Sequence, residues 1–317
     1  MSGAKKVAAQ PPSSIPLPVL VVLRGVGQVF FQENALTGAL FIVGLALSSP
    51  LMAAGAVVGS AIGTAVAWGL KYDKAETQGG IYGFNSTLVG IASFFFFPPG
   101  ILLIGLLIAG CVVAAFVTRF MRSSLPFPTY TTPFIVTTWG VFFLGQALGL
   151  VPDPGAAPLV PNPQSGFYVE AAAHGIGQVM FQGSHWTGLF FLLGIALSER
   201  RHAILVLTGS AVGMLVALYH FTLGADAIDP ERLITRSAFD VIKLGLYGYN
   251  ATLAPVALYL WKKSLIAPVL GMLLSVPLTE LFPWLGLPAL TAPFVLAVWI
   301  VLILEQLEKR WVAGPVT

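Results

Sequence analysis

The polar side chains able to do chemistry in this chain come in matched, uncharged pairs. Gln28 recurs as Gln178, Asn85 as Asn250, Thr131 as Thr291 and Gln146 as Gln306, each inside otherwise apolar sequence. These amides and hydroxyls donate and accept hydrogen bonds, but they supply no acid, base or activated nucleophile. Phe31 with Phe181, and Phe84 with Tyr249, set flat aromatic faces beside them. Such a set suits a small, neutral, planar polar solute, whose edge is hydrogen-bonded while rings cover its faces. An ion path would ask for charge, and the repeated positions carry none.

Other chemistries find little support. The sequence has no Gly-x-Ser-x-Gly elbow, no His-Glu-x-x-His and no Gly-x-x-x-x-Gly-Lys phosphate loop, so an enzyme is not expected. His174, His185, His202 and His220 lack ligand spacing, and neither a metal nor a cofactor is expected. Cys111 stands alone in an uncharged stretch and reads as a small core residue. The 16 Lys and Arg, in a chain of net charge +3, are scattered at the ends of apolar runs rather than gathered on a face. A nucleic-acid partner is therefore not expected, and a membrane-flanking role is.

These residues need elements that place them inside a membrane. Charged residues are 9% of the chain and hydrophobic ones 56%, against roughly 25% charged in a soluble domain. Residues 34–70, 81–118 and 123–152 contain no charged residue and no histidine, and shorter apolar runs lie near 188–198, 203–219, 244–261, 265–279 and 291–304. With about 20 apolar residues needed per crossing, this predicts about ten membrane helices. A transmembrane β-barrel is excluded, because Ile101-Leu-Leu-Ile-Gly-Leu-Leu-Ile108 does not alternate. The fold class is an all-α polytopic membrane protein.

The chain also repeats itself. Gly25-Val-Gly-Gln-Val-Phe-Phe-Gln32 returns as Gly175-Ile-Gly-Gln-Val-Met-Phe-Gln182, an offset of 175 − 25 = 150. Tyr82-Gly-Phe-Asn85 returns as Tyr247-Gly-Tyr-Asn250 at an offset of 165, the intervening loop having grown at 224–240. Leu125-x-x-Pro128-x-x-Thr131-x-Pro133-Phe134 returns at an offset of 160 as Leu285-x-x-Pro288-x-x-Thr291-x-Pro293-Phe294. Three blocks in one order define homologous halves at 18–150 and 168–310, joined by a loop at 151–167. Residues 1–17 read as a disordered cytoplasmic tail and 311–317 as a second tail.

Five spans plus a short segment per half predict inverted halves about an axis in the membrane plane, with one pore per subunit on that axis. The short segments, at 83–97 and 248–259, read as half-membrane helices. The proline-bracketed threonines mark where a helix must break. With both termini inside, Lys5, Lys6, Arg119, Arg122, Lys262, Lys263, Lys309 and Arg310 fall on the cytoplasmic side, while Arg200 and Arg201 fall outside, against the positive-inside rule.

On these motifs the chain resembles the urea transporters, the urea-channel family of bacteria and animals, from Gly25 to about Leu304. The resemblance rests on Gly25-x-x-Gln-Val-x-Phe31 with Gly175-x-x-Gln-Val-x-Phe181, on Gly83-Phe-Asn85 with Gly248-Tyr-Asn250, and on the duplicated Leu-x-x-Pro-x-x-Thr-x-Pro-Phe. It implies a bacterial inner-membrane homotrimer in which each subunit passes urea, and small urea analogues, passively. It also implies aromatic slots at Phe31, Phe84, Phe181 and Tyr249, amide-binding groups at Gln28 and Gln178, and a constriction at Thr131 and Thr291. An ammonium, ammonia or other small-solute channel is the alternative.

The Asn-Pro usual after the Gln-Val-x-Phe helix is Asn34-Ala35 here and Ser184-His185 in the second half, which predicts an altered turn. Glu33 faces Gly183 across the repeat and makes one mouth acidic. Gly55-x-x-x-Gly59-x-x-x-Gly63 predicts close helix contact. Phe94-Phe-Phe-Phe97 predicts packing against lipid or a neighbouring subunit. Gln146 and Gln306, taken alone, read as helix-to-helix contacts, and Glu170 and Glu280 as interfacial residues or part of a mouth.

Overall fold

The computed structural model describes residues 15–153, 166–223 and 242–313. The tail at 1–14, the enlarged loop at 224–241, part of the connecting loop at 154–165 and the end at 314–317 lie outside the described residues. Among the described residues there are thirteen α-helices and no strand. The first half holds α1 (Leu17–Gly27, continued by a 3₁₀ turn at Gln28–Phe30), α2 (Ala35–Ser48), α3 (Pro50–Gly69), α4 (Lys74–Gln78), α5 (Phe84–Phe96), α6 (Ile101–Ser124) and α7 (Thr132–Ala147). The second holds α8 (Phe167–Gly177, continued at Gln178–Met180), α9 (His185–Ser198), α10 (Arg200–Leu223), α11 (Gly248–Trp261), α12 (Ile266–Trp284) and α13 (Ala292–Ala313). Only α4 lacks a described counterpart.

Helices α3, α6, α12 and residues 200–219 of α10 are each long and apolar enough to cross a membrane alone. The α1–α2 and α8–α9 pairs pass the same test together, each bent, by 75° and 76°. Helices α5 and α11, of 13 and 14 residues, reach about 20 Å at 1.5 Å per residue, short of a ~30 Å hydrocarbon core. They are also the most enclosed helices, with residues 84–93 of α5 buried throughout.

Both bends are built alike. Phe31 and Phe181 each take the left-handed conformation at φ 60°. The Gln32 amide donates to the Phe30 carbonyl at 2.7 Å, and the Gln182 amide to the Met180 carbonyl at 2.8 Å. Asn34 caps α2 through the Leu36 and Thr37 amides, whereas Ser184 makes no side-chain cap. The turn is nevertheless the same in both halves. Missing proline does not distinguish them, because the 3₁₀ turn, the left-handed phenylalanine and the returning glutamine amide set the bend.

Reciprocal contacts relate the halves by a two-fold axis. Thr37 Oγ1 donates to the Gly194 carbonyl at 2.8 Å, and Thr187 Oγ1 to the Gly44 carbonyl at 2.8 Å. Early residues of α2 thus meet late residues of α9, and the converse, so the two helices run antiparallel. Two helices made antiparallel by a two-fold lie across its axis, which is the geometry of inverted rather than parallel repeats. Phe41 and Phe191 meet at this crossing with ring centroids 4.7 Å apart.

The glycine ladder serves close helix contact. A Cβ on Gly59 would lie 2.1 Å from the Ser86 carbonyl oxygen, and one on Gly209, its echo in α10, 2.0 Å from that of Ala251. Helices α3 and α10 therefore press on the backbones of α5 and α11 with no room for a methyl group. Gly59→Ala should cost on the order of 1–3 kcal/mol, the usual penalty for overpacking. A wild-type melting temperature for the purified variant would exclude the contact. Cys111 belongs to the same core: Ser86 Oγ donates to its carbonyl at 2.8 Å.

At one end of this core Glu76 joins α4 to α6. Burial pushes its carboxyl upward, but hydrogen bonds from Arg122 and Tyr82, with the Arg122 charge, outweigh burial and leave its pKa lowered. A lowered carboxylate stabilises the fold in full above its unfolded value, near 4.5, and the gain is lost as pH falls through the folded value. Melting temperature should therefore drop on acidification below about pH 4.5. Glu76→Gln should flatten that part of the profile, and an unchanged profile would remove this pair as its cause.

Basic residues sort differently from the sequence-based topology. Arg201 Nη1 donates to Tyr259 OH at 3.2 Å, while Lys263 Nζ stands 4.2 Å over the same ring. Arg200 and Arg201 consequently share a face with Lys262 and Lys263 instead of lying opposite. Antiparallel halves bring the start of α10 to the end of α11, and the one exception to the positive-inside pattern disappears.

Candidate functional site

The two proline-bracketed segments meet on the axis. Pro128 lies between α6 and α7 and Pro133 in the first turn of α7, and Tyr130 turns the chain through φ 46°; Leu290 does the same at φ 48° before α13. Helices α7 and α13 start immediately afterwards, at Thr132 and Ala292. Thr131 and Thr291, 1% and 2% exposed, sit at these starts with their hydroxyls 2.7 Å apart. Neither hydroxyl bonds back to its own helix, as those of Thr87, Thr118 and Thr252 do. Trp139 Nε1 donates to the Pro288 carbonyl at 2.9 Å and Trp299 Nε1 to that of Pro128 at 3.1 Å, locking the crossing reciprocally.

Two helix N-termini therefore face one point. Their backbone dipoles place partial positive charge there, which favours a carbonyl oxygen and opposes a cation. The segments are held by Asn85 and Asn250. Asn85 Oδ1 accepts from the Phe134 amide at 3.2 Å and its Nδ2 donates to Thr118 Oγ1 at 3.1 Å and the Tyr130 carbonyl at 3.5 Å. Asn250 repeats this with the Phe294 amide, Thr279 Oγ1 and the Leu290 carbonyl. Both asparagines are wholly buried, with their amides engaged on both sides. Through these bonds they hold the threonine-bearing turns in place.

Beside the threonine pair lies a cavity of about 180 Å³, bounded by Thr291, Gln178, Phe181, Tyr249, Phe95 and Phe96 among others, with no charged side chain in its lining. Phe181 packs against Phe95 at a tilt of 37° with centroids 4.7 Å apart and meets Phe134 at 6.3 Å. Gln178 presents its amide with no hydrogen bond among the described residues. Its counterpart Gln28 differs, donating to the Gly79 carbonyl at 2.9 Å, with Glu33 packed near that glycine. A second cavity on the axis, about 220 Å³, is bordered by Trp139, Trp299 and Phe282. Both indole N–H groups there are already used, so it offers an amide solute little.

The first half sets its own rings around Phe31. Phe31 meets Tyr130 at 5.9 Å and Phe294 at 6.2 Å. Phe84 is 8% exposed and makes no direct ring contact with Phe31 among the described residues, just as Phe181 and Tyr249 make none with each other; Tyr130 is a ring that touches Phe31. Phe95 and Phe96 were expected to pack outward and instead wall the cavity. The sequence held no signal for them, since their counterparts Leu260 and Trp261 are exposed and repeat symmetry is silent there. Gln146 and Gln306 are exposed near the far ends of α7 and α13, away from the axis. Glu170 pairs with Lys243 at 3.4 Å, and Glu280 accepts from Tyr247 OH at 2.9 Å. No cluster of three or more His, Cys, Asp or Glu able to hold a metal occurs among the described residues.

The arrangement is an uncharged, aromatic-walled hollow leading to paired hydroxyls on the axis of two inverted halves. Comparison with known proteins agrees with the sequence resemblance. The chain is 26% identical over 319 residues to Urea transporter 1 of Ovis aries, covering 93% of this chain and 79% of that one. It is 27% identical over 306 residues to Urea transporter 1 of Mus musculus, covering 89% and 76%. Residues 19–306 match the model of the family described as "Urea transporter", nearly the whole length, and the chain belongs to the urea transporter family.

Proposed function

We propose that this chain conducts urea passively across the membrane through a path within each subunit. The observation that carries the reading is the pair of threonine hydroxyls at two facing helix N-termini, reached from a hollow of aromatic rings and one unengaged amide. Urea is flat and neutral and has a carbonyl acceptor with four N–H donors. Rings cover its faces, Gln178 takes its edge, and the hydroxyls replace water at the narrowest point. No charged residue of the described lining offers an ion to couple, so solute moves down its gradient. An ammonium path is disfavoured by the two N-terminal dipoles at the centre.

The finer reading has a homotrimer with one path per subunit, passage of small urea analogues, and both termini on the cytoplasmic side of a cytoplasmic membrane. That orientation is supported by the shared face of Arg200, Arg201, Lys262 and Lys263. Urea influx into proteoliposomes, followed by light scattering with ammonia and methylurea in parallel, tests the conduction of urea and of its analogues. Urea permeability equal to that of empty vesicles would overturn it.

A further inference from the structure

The fold contains the same corner twice, and only one copy is charged. In the first half, α2 ends at Ser48, α3 begins at Pro50, and α5 ends at Phe96 with Phe97 extended after it. In the second, α9 ends at Ser198, α10 begins at Arg200, and α11 ends at Trp261 with Lys262 extended after it. Offsets of 150 and 165 pair Arg200 with Pro50, Arg201 with Leu51, Lys262 with Phe97 and Lys263 with Pro98. One copy holds four cations where the other holds none. The backbone forms either way, so the charges are not needed to make the corner.

The copies also differ in what covers them. The chain after α7 folds over the first, where the Asp153 amide donates to the Phe96 carbonyl at 2.8 Å and Phe97 is 1% exposed. No described segment folds over the second in this way, because α13 runs on as helix to Ala313. Arg200, Arg201, Lys262 and Lys263 are all exposed. Arg201 and Lys263 converge on Tyr259, by hydrogen bond and over the ring. The acidic contacts of this cluster are Glu199, which accepts from the Arg201 amide, and Glu305, shared between Lys262 and Lys309. Five cations set against two carboxylates leave net positive charge, at the N-terminus of α10, whose dipole adds to it.

We propose that this corner binds the phosphate headgroup of an anionic phospholipid in the adjoining leaflet. Arginine forks and lysine ammoniums match phosphate oxygens. The surroundings favour a lipid over a free phosphate: Trp261 and Leu260, 47% and 45% exposed, flank the cluster, and Leu265 and Ile266 beside it are 65% and 74% exposed. An indole at headgroup depth with aliphatic side chains next to it is the setting of an acyl chain.

The test uses full-length protein in vesicles or nanodiscs of phosphatidylcholine with increasing dioleoylphosphatidylglycerol, with retained lipid counted by native mass spectrometry. Wild type should retain phosphatidylglycerol in preference to phosphatidylcholine. Arg201→Gln with Lys263→Gln should weaken that preference by about fivefold per cation removed. Lys74→Gln, a charge change elsewhere, should leave it intact, and urea flux in the double variant would show that it is folded. Equal phosphatidylglycerol retention by wild type and the double variant would overturn the site. Stabilisation by millimolar inorganic phosphate as large as that by phosphatidylglycerol, and lost in the same variant, would overturn the lipid assignment.

Discussion

Thr131→Val and Thr291→Val should each slow urea flux per folded protein by roughly tenfold, and the double variant should be slower still. Valine keeps the shape and removes the hydroxyl. At rest the two hydroxyls satisfy each other across 2.7 Å. A passing solute parts them and takes a bond from each, so a missing hydroxyl leaves a desolvated amide proton unmatched, at about 1–3 kcal/mol. Some 1.4 kcal/mol on a barrier is one decade in rate. Membrane threonines commonly bond back to their own helix, and in that case Thr→Val would alter stability alone. The observed geometry argues otherwise, since both hydroxyls are directed at the axis. Because they touch, the two substitutions are coupled and their effects need not add. Wild-type flux in all three variants, with lower melting temperatures, would make the pair a structural clasp and remove it from the path.

Phe181→Leu should relax selection for flat solutes by roughly tenfold, comparing urea with a bulkier non-planar solute, and should change urea flux itself much less. The ring forms one wall of the ~180 Å³ cavity and is fixed by Phe95 and by its own left-handed backbone. Losing it widens a slot that excludes solutes by thickness. Tyr249→Leu, on the same cavity, should act in the same direction. Phe84→Leu should act less, because Phe84 is 8% exposed and is not part of that cavity's lining. Influx of the two solutes into matched proteoliposomes gives the ratio. An unchanged ratio for Phe181→Leu and Tyr249→Leu, or a changed one for Phe84→Leu alone, would reverse this assignment of the walls.

The sequence by itself determined the helical membrane class, the two halves and the matched proline-bracketed segments. Charge-free length sets the first, and a repeat needs no structure to be seen. Pro128 and Pro288 each remove a backbone donor at matching places in the repeat, so Thr131 and Thr291 could be singled out as equivalent. Tertiary structure decided what each equivalent pair does, because symmetry marks matching positions without saying which way they face. Asn85 and Asn250 match as well as the threonines do, yet their amides are consumed by Phe134 and Phe294, partners 49 and 44 residues away. Gln28 and Gln178 match, and only Gln28 is engaged by a neighbouring carbonyl. Phe95 reads in the sequence as an outward-packing ring because it breaks the symmetry, and its partner Phe181 lies on the other half of the chain. Arg200 and Arg201 were separated from Lys262 and Lys263 because counting spans accumulates error along the chain. A single contact, Arg201 with Tyr259, puts them on one face, since a hydrogen bond cannot cross a bilayer.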